Sequence, residues 1–98
     1  MEVRFADQRL DRLETDAAYT AGLPRVAVRG FRKVIQVIRA ATDERDLYAM
    51  KSLHYEKLKG QRGHQRSLRL NIQWRLIVEV IEAEPKNILA IIGIEDYH

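Results

Sequence analysis

The hydrophobic pattern of this 98-residue chain changes period once, near residue 52, and that change limits the folds open to it. Val28, Phe31, Val34, Ile35, Ile38 and Ala41 recur at three- and four-residue spacing, which predicts a helix of about four turns. Leu68, Leu70 and Ile72 then alternate with Ser67, Arg69 and Asn71, the period-two pattern of a strand covered on one face. Trp74–Ile81 and Ile88–Ile94 are two more strand-like runs. A tight Asn71-Ile72-Gln73 connection precedes the first, and Glu84-Pro85-Lys86-Asn87 makes the turn between them. Upstream, Val3 and Phe5 alternate with Glu2 and Arg4 as a short opening strand. Asp7 can cap a helix that runs through Leu10, Leu13 and Ala17 to about residue 16. Gly22-Leu23-Pro24 punctuates the chain, with Pro24 near the first turn of the long helix, where its missing N–H is harmless. Thr42 or Asp43 can cap a further short helical turn to Met50. Strand, helix, helix and a three-stranded meander predict the α+β class, two N-terminal helices packed on a small antiparallel sheet. Residues 1–98 read as a single domain.

Composition removes several functional classes. The chain has no cysteine, so it has no disulfide framework and no thiolate metal site, as suits a cytoplasmic protein. Three scattered histidines are thin material for a metal site, and no cofactor is expected. No apolar run reaches the length of a membrane span, and the charged start lacks the pattern of a signal peptide. Net charge is only +3, but it is unevenly spread. Residues 51–75 hold seven Lys or Arg against one acid, whereas residues 76–98 hold one base against five acids. A basic segment of this density attracts polyanions such as nucleic acid; a solvated face that balances acidic strands in the same sheet would look the same. Arg25, Arg29, Arg32, Gln36 and Arg39 also share one face of the long helix, a pattern most often solvated.

Three features converge on the predicted sheet. Lys57, Lys59 and Arg62 lie in a Gly-containing loop. If Leu68, Leu70, Trp74 and Leu76 face the core, period two places Arg69 and Arg75 on the opposite face. Glu95-Asp96-Tyr97-His98 follows directly on an apolar strand. Such groups suit metal-free RNA cleavage, in which a base takes the 2′-hydroxyl proton, an acid protonates the departing 5′-oxygen, and cations neutralise the pentavalent phosphate. His98 is a candidate proton-transfer group, Asp96 can orient it or act as base, and Tyr97 can stack on a nucleobase. Glu56 is a second candidate base. The structural alternatives are a polar chain end, a partly buried Tyr97, and ion pairs from Arg75 to Glu79 or Asp96.

Taken in order, Leu58-Lys59-Gly60-Gln61-Arg62, then Ser67-Leu68-Arg69-Leu70-Asn71-Ile72-Gln73-Trp74-Arg75-Leu76, then Ile94-Glu95-Asp96-Tyr97-His98 resembles the HigB-type toxins of the RelE/ParE superfamily. The resemblance implies a microbial-RNase-like fold and metal-independent, ribosome-dependent cleavage of mRNA. It also implies a cognate antitoxin with a helix-turn-helix, and no membrane partner. The catalytic or RNA-contacting positions it implies are Lys59, Arg75, Asp96, Tyr97 and His98; the basic loop and strand reading adds Lys57, Arg62, Arg66 and Arg69 as further RNA contacts. Some members carry a histidine where this chain has Glu56, and His54 lies two residues upstream, on the same face if the segment is a strand. Glu56 and His54 therefore both stand as possible general bases. Gln61 and Arg66 replace the family's more usual Asp and aromatic residue. A ParE-like inhibitor of DNA gyrase and a non-catalytic nucleic-acid-binding module are the alternative functions.

Overall fold

Residues 1–96 are described by the computed structural model. Their order is β1 (Glu2–Phe5), α1 (Gln8–Thr15), α2 (Arg25–Ala40), α3 (Glu44–Ala49), β2 (Glu56–Lys57), β3 (Gln65–Arg69), β4 (Trp74–Ile81) and β5 (Ile88–Asp96). Short 3-10 turns occupy Lys51–Leu53 and Gly60–Arg62. The strands form one sheet in the order β1-β5-β4-β3-β2. Strands β2 to β5 pair antiparallel, as expected, but β1 joins the edge parallel to β5, so the sheet is mixed. The parallel pair arises because the chain leaves β1 through helices instead of a hairpin, and only the last strand returns beside it.

The helices cover one face of the sheet. The α2 stripe of Ala27, Val28, Phe31, Val34, Ile35 and Ile38 is buried. It joins Leu68, Leu76, Val78, Leu89 and Ile91 from the strands in one core. Burying each such aliphatic side chain contributes about 1.5–3 kcal/mol, so this contact outweighs the weak intrinsic helix preference of a β-branched segment. Asp7 caps α1 as its sequence position predicts, accepting from the N–H groups of Arg9 and Leu10. Those backbone hydrogen bonds, chiefly the one from Leu10, lower the carboxyl pKa of Asp7.

Part of the basic α2 face is structural. Arg39 forms a bidentate pair with Glu14 at 2.7 and 2.8 Å. Arg32 donates to the carbonyls of Leu13, Asp16, Ala17 and Tyr19 at 2.9–3.4 Å, pinning the end of α1 and its exit loop to α2. Arg32→Met keeps the aliphatic stem and leaves these carbonyls to water. Because hydrogen bonds to a charged donor contribute about 1.5–3 kcal/mol, the variant is expected to lose roughly 2 kcal/mol in urea unfolding. A loss under a few tenths would show that the guanidinium does not hold the loop.

Two local devices place side chains on the uncovered face. Asn71 Oδ1 accepts from the N–H groups of Gln73 and Trp74 at 2.9 and 2.7 Å, an Asx-type turn that ends β3 at Arg69. Ile72 stands at the tip of the expected Asn71-Ile72-Gln73 connection, 80% exposed, and does not extend the alternation of Leu68 and Leu70. The second device is a bulge in β5. Ile77 pairs with Gly93 while Val78 pairs with Ile91, leaving Ile92 as the extra residue. Strict alternation from buried Ile91 would turn Glu95 toward the helices. The bulge reverses that phase, so Ile94 opposes core-facing Leu76 and Glu95 opposes Arg75.

Candidate functional site

Residues opposite one another on paired strands share a face, so the register defines what the helix-free side presents. One row is Glu56, Ser67, Ile77 and Gly93; the next is Arg69, Arg75 and Glu95. Together with Leu58, Arg62 and Asp96 from the loop and the strand end, most of these groups border an open concavity of about 230 Å³. Its lining carries two guanidiniums, Arg62 and Arg75, and three carboxylates, Glu56, Glu95 and Asp96. Ser67 lies buried in its floor, a small polar residue where a larger side chain would fill the hollow.

The cations are held by backbone and side-chain oxygens. Arg75 Nη1 donates to the carbonyl of Asn71 at 3.1 Å, and Arg69 Nε approaches the same carbonyl at 3.4 Å. One turn residue thus braces two like-charged side chains that face each other across β3 and β4. Arg62 Nη1 and Nη2 clasp the Glu95 carboxylate at 3.1 and 2.7 Å, while Nε donates to Gln65 Oε1 at 3.0 Å. Donating to the Glu95 carboxylate raises the Arg62 pKa further, so this guanidinium stays charged. Gln73 Nε2 donates to Asp96 Oδ2 at 3.2 Å. Lys59 is exposed on the loop before Gly60–Arg62 and does not line the concavity; Lys57, exposed on β2, opposes Arg66 and so belongs to the row on the other face of the sheet.

Not every expected residue joins this group. Arg66 opposes Val78, on the helix side, and its Nε lies 3.8 Å from Glu44. Its neighbour Tyr55 donates to Glu44 at 2.8 Å, and burial, then that carboxylate, pushes the Tyr55 pKa well above the usual tyrosine range. His54 is not on a strand: it closes the Lys51–Leu53 turn in the left-handed conformation, φ 48°, with Nε2 3.4 Å from Arg69 Nη1. The alternation that would have paired it with Glu56 is therefore absent, and Glu56 borders the concavity without it. Tyr97 and His98 lie outside the described residues.

Sequence reasoning missed the roles of Glu95, Asn71, Gln73 and Ser67. Asn71 had a usable signal, since Asn three residues before an apolar strand start favours an Asx-type turn. Glu95 had only an indirect one, Gly93 within the apolar run, because its face depends on the bulge beside that glycine.

A larger cleft of about 310 Å³ lies beside α2, lined by Ala17, Thr20, Arg25, Val28, Arg29 and Arg32. It offers cations but no carboxylate or imidazole. Among the described residues no group of three or more His, Cys, Asp or Glu could hold a metal ion, and no helix is long and apolar enough to cross a membrane.

A family model described as the RelE-like toxin of type II toxin–antitoxin system HigB matches residues 3–93. Among solved structures, a YoeB/ParE toxin from Agrobacterium tumefaciens is similar, with TM-score 0.61, 18% identity and complete coverage of both chains. That likeness bears on the fold. No curated protein matches.

Proposed function

The chain belongs to the HigB-like toxins, RelE-like members of type II toxin–antitoxin systems, and from that premise we propose that it is an endoribonuclease cutting mRNA on the ribosome. Membership implies an antitoxin partner; a helix-turn-helix protein is the proposed one, with the ribosome and its message as target. The observation that carries the reading is the grouping of Arg62, Arg75, Glu56, Glu95 and Asp96 around one open concavity on the uncovered sheet face.

In the proposed reaction the ribose 2′-oxygen forms a bond to the adjacent phosphorus and the bond from phosphorus to the 5′-oxygen breaks. Glu56, bordering the concavity, takes the 2′-hydroxyl proton, with His54 the second candidate. His98, following Asp96 and Tyr97, gives a proton to the departing 5′-oxygen. Arg75 and Lys59 neutralise the charge that builds on the phosphorane oxygens. The products are a 2′,3′-cyclic phosphate and a 5′-hydroxyl, and no metal enters the scheme.

Purified protein is expected to cut mRNA on programmed ribosomes in the presence of EDTA and to leave those ends. Magnesium-dependent cuts with 5′-phosphates would refute the mechanism. Inhibition of gyrase in a supercoiling assay, with the message intact, would favour the ParE-like reading. Removing Tyr97 and His98 is expected to lower cleavage by about 10²–10⁴-fold, the usual contribution of a positioned general acid, while ribosome binding stays within about threefold. Undiminished cleavage by the truncated chain would take both residues out of the scheme.

A further inference from the structure

We propose that Glu95 is an internal stand-in for a substrate phosphate: it holds the Arg62 guanidinium at the mouth of the concavity and yields it when RNA arrives. The inference rests on the functional reading above and assigns Glu95 a role in RNA affinity. Three observations meet here. The bulge at Ile92 turns Glu95 onto the open face, opposite Arg75, although plain alternation would have hidden it. Its two oxygens take two parallel N–H groups of Arg62 at 3.1 and 2.7 Å, the fork geometry that a phosphate also satisfies. Both side chains are about half exposed, at 46% and 48%, so an incoming anion can reach the fork.

The exchange is energetically easy. An exposed ion pair is worth little, because water screens it and ordering two long side chains opposes it. A phosphodiester in the decoding site carries the same single charge as the carboxylate it displaces, and Arg75 on the adjoining strand can share it with Arg62. Meanwhile Gln65 keeps hold of Nε, so the Arg62 side chain stays aimed at the mouth when Glu95 lets go. A carboxylate on this face thus limits loose capture of nucleic acid without removing the cation that productive binding uses.

The test measures binding of the full chain to programmed ribosomes whose message carries 2′-O-methyl groups at the decoding-site codon, so that no cleavage occurs. Glu95→Gln is expected to bind roughly three- to tenfold more tightly, because the fork no longer has to be vacated. The salt dependence of binding should not become shallower, since Arg62 still neutralises a phosphate and releases its condensed counterion. Arg62→Ala should weaken binding, and in the double variant the gain from Glu95→Gln should vanish. A gain that persists without Arg62 would mean simple repulsion by Glu95 and would overturn the proposal. Equal or weaker binding by Glu95→Gln, with wild type cutting the unmodified message, overturns the proposal alone. Wild type that neither cuts the message nor binds the complex overturns the functional reading and this inference with it.

Discussion

Arg75→Ala is expected to slow ribosome-dependent cleavage by roughly 10²–10³-fold, the usual loss when a preorganised donor to a developing oxyanion is removed. The reason lies in how Arg75 is held. Its Cα is in the middle of a three-strand row, Arg69, Arg75 and Glu95, and its Nη1 is braced by the Asn71 carbonyl at 3.1 Å. The cation is therefore aimed before substrate arrives, and no reorganisation is needed as charge accumulates on the phosphorane. A freely moving side chain would give less, because part of its interaction would go into ordering it. Arg75→Lys is expected to recover only a minor part, since an ammonium cannot keep the Asn71 contact and present a planar fork at once. Folding stability should change by under about 1 kcal/mol, as Arg75 contributes nothing to the aliphatic core. Single-turnover cleavage and thermal unfolding of the same preparations separate the two effects. Cleavage within threefold of wild type would remove Arg75 from the chemistry.

Legibility in the sequence was uneven, and the pattern has physical causes. Helix α2 was readable because six buried positions repeat at the helical period and no single contact decides the outcome. The Asp7 cap was readable because capping is local. The facing of Arg69 and Arg75 followed from period two between two turns. The parallel pairing of β1 with β5 was not legible, as it joins residues more than eighty positions apart with no turn to fix the register. Glu95 and Asp96 illustrate the sharper limit. A single extra residue, Ile92, exchanges their faces, and the one local mark of the bulge is Gly93 beside it, which the apolar alternation does not take into account. His54 failed for a related reason: alternation was extended through a segment that turns left-handed instead. Functional residues carried by periodicity could thus be placed, whereas those set by an irregularity could not.

Gly30 shows the same limit within the best-read helix. From sequence alone, Gly30→Ala should stabilise α2 by about 1 kcal/mol through helix propensity. The packing reverses the sign. A Cβ on Gly30 would lie 2.6 Å from the carbonyl oxygen of Leu70 and 3.1 Å from the Leu70 Cβ. The obstacle is mostly backbone, so no rotamer change relieves it; either α2 lifts from the sheet or the β3–β4 turn is pushed aside. Overpacking of this kind costs up to about 3 kcal/mol, which leaves a net loss of roughly 2 kcal/mol after the propensity gain. For a chain of this length each kcal/mol moves the midpoint by about 4–8 °C, so Tm is expected to fall by roughly 8–16 °C. Displacement of the turn would also move Asn71, whose carbonyl braces both Arg69 and Arg75. Cleavage should therefore fall well below the wild-type rate even at temperatures where the variant remains folded. Gln36→Ala, on the exposed side of the same helix, provides the control and should shift stability by only a few tenths of a kcal/mol. A Gly30→Ala variant more stable than wild type would mean that α2 and the β3–β4 turn do not approach this closely, and the brace on the two arginines would lose its foundation.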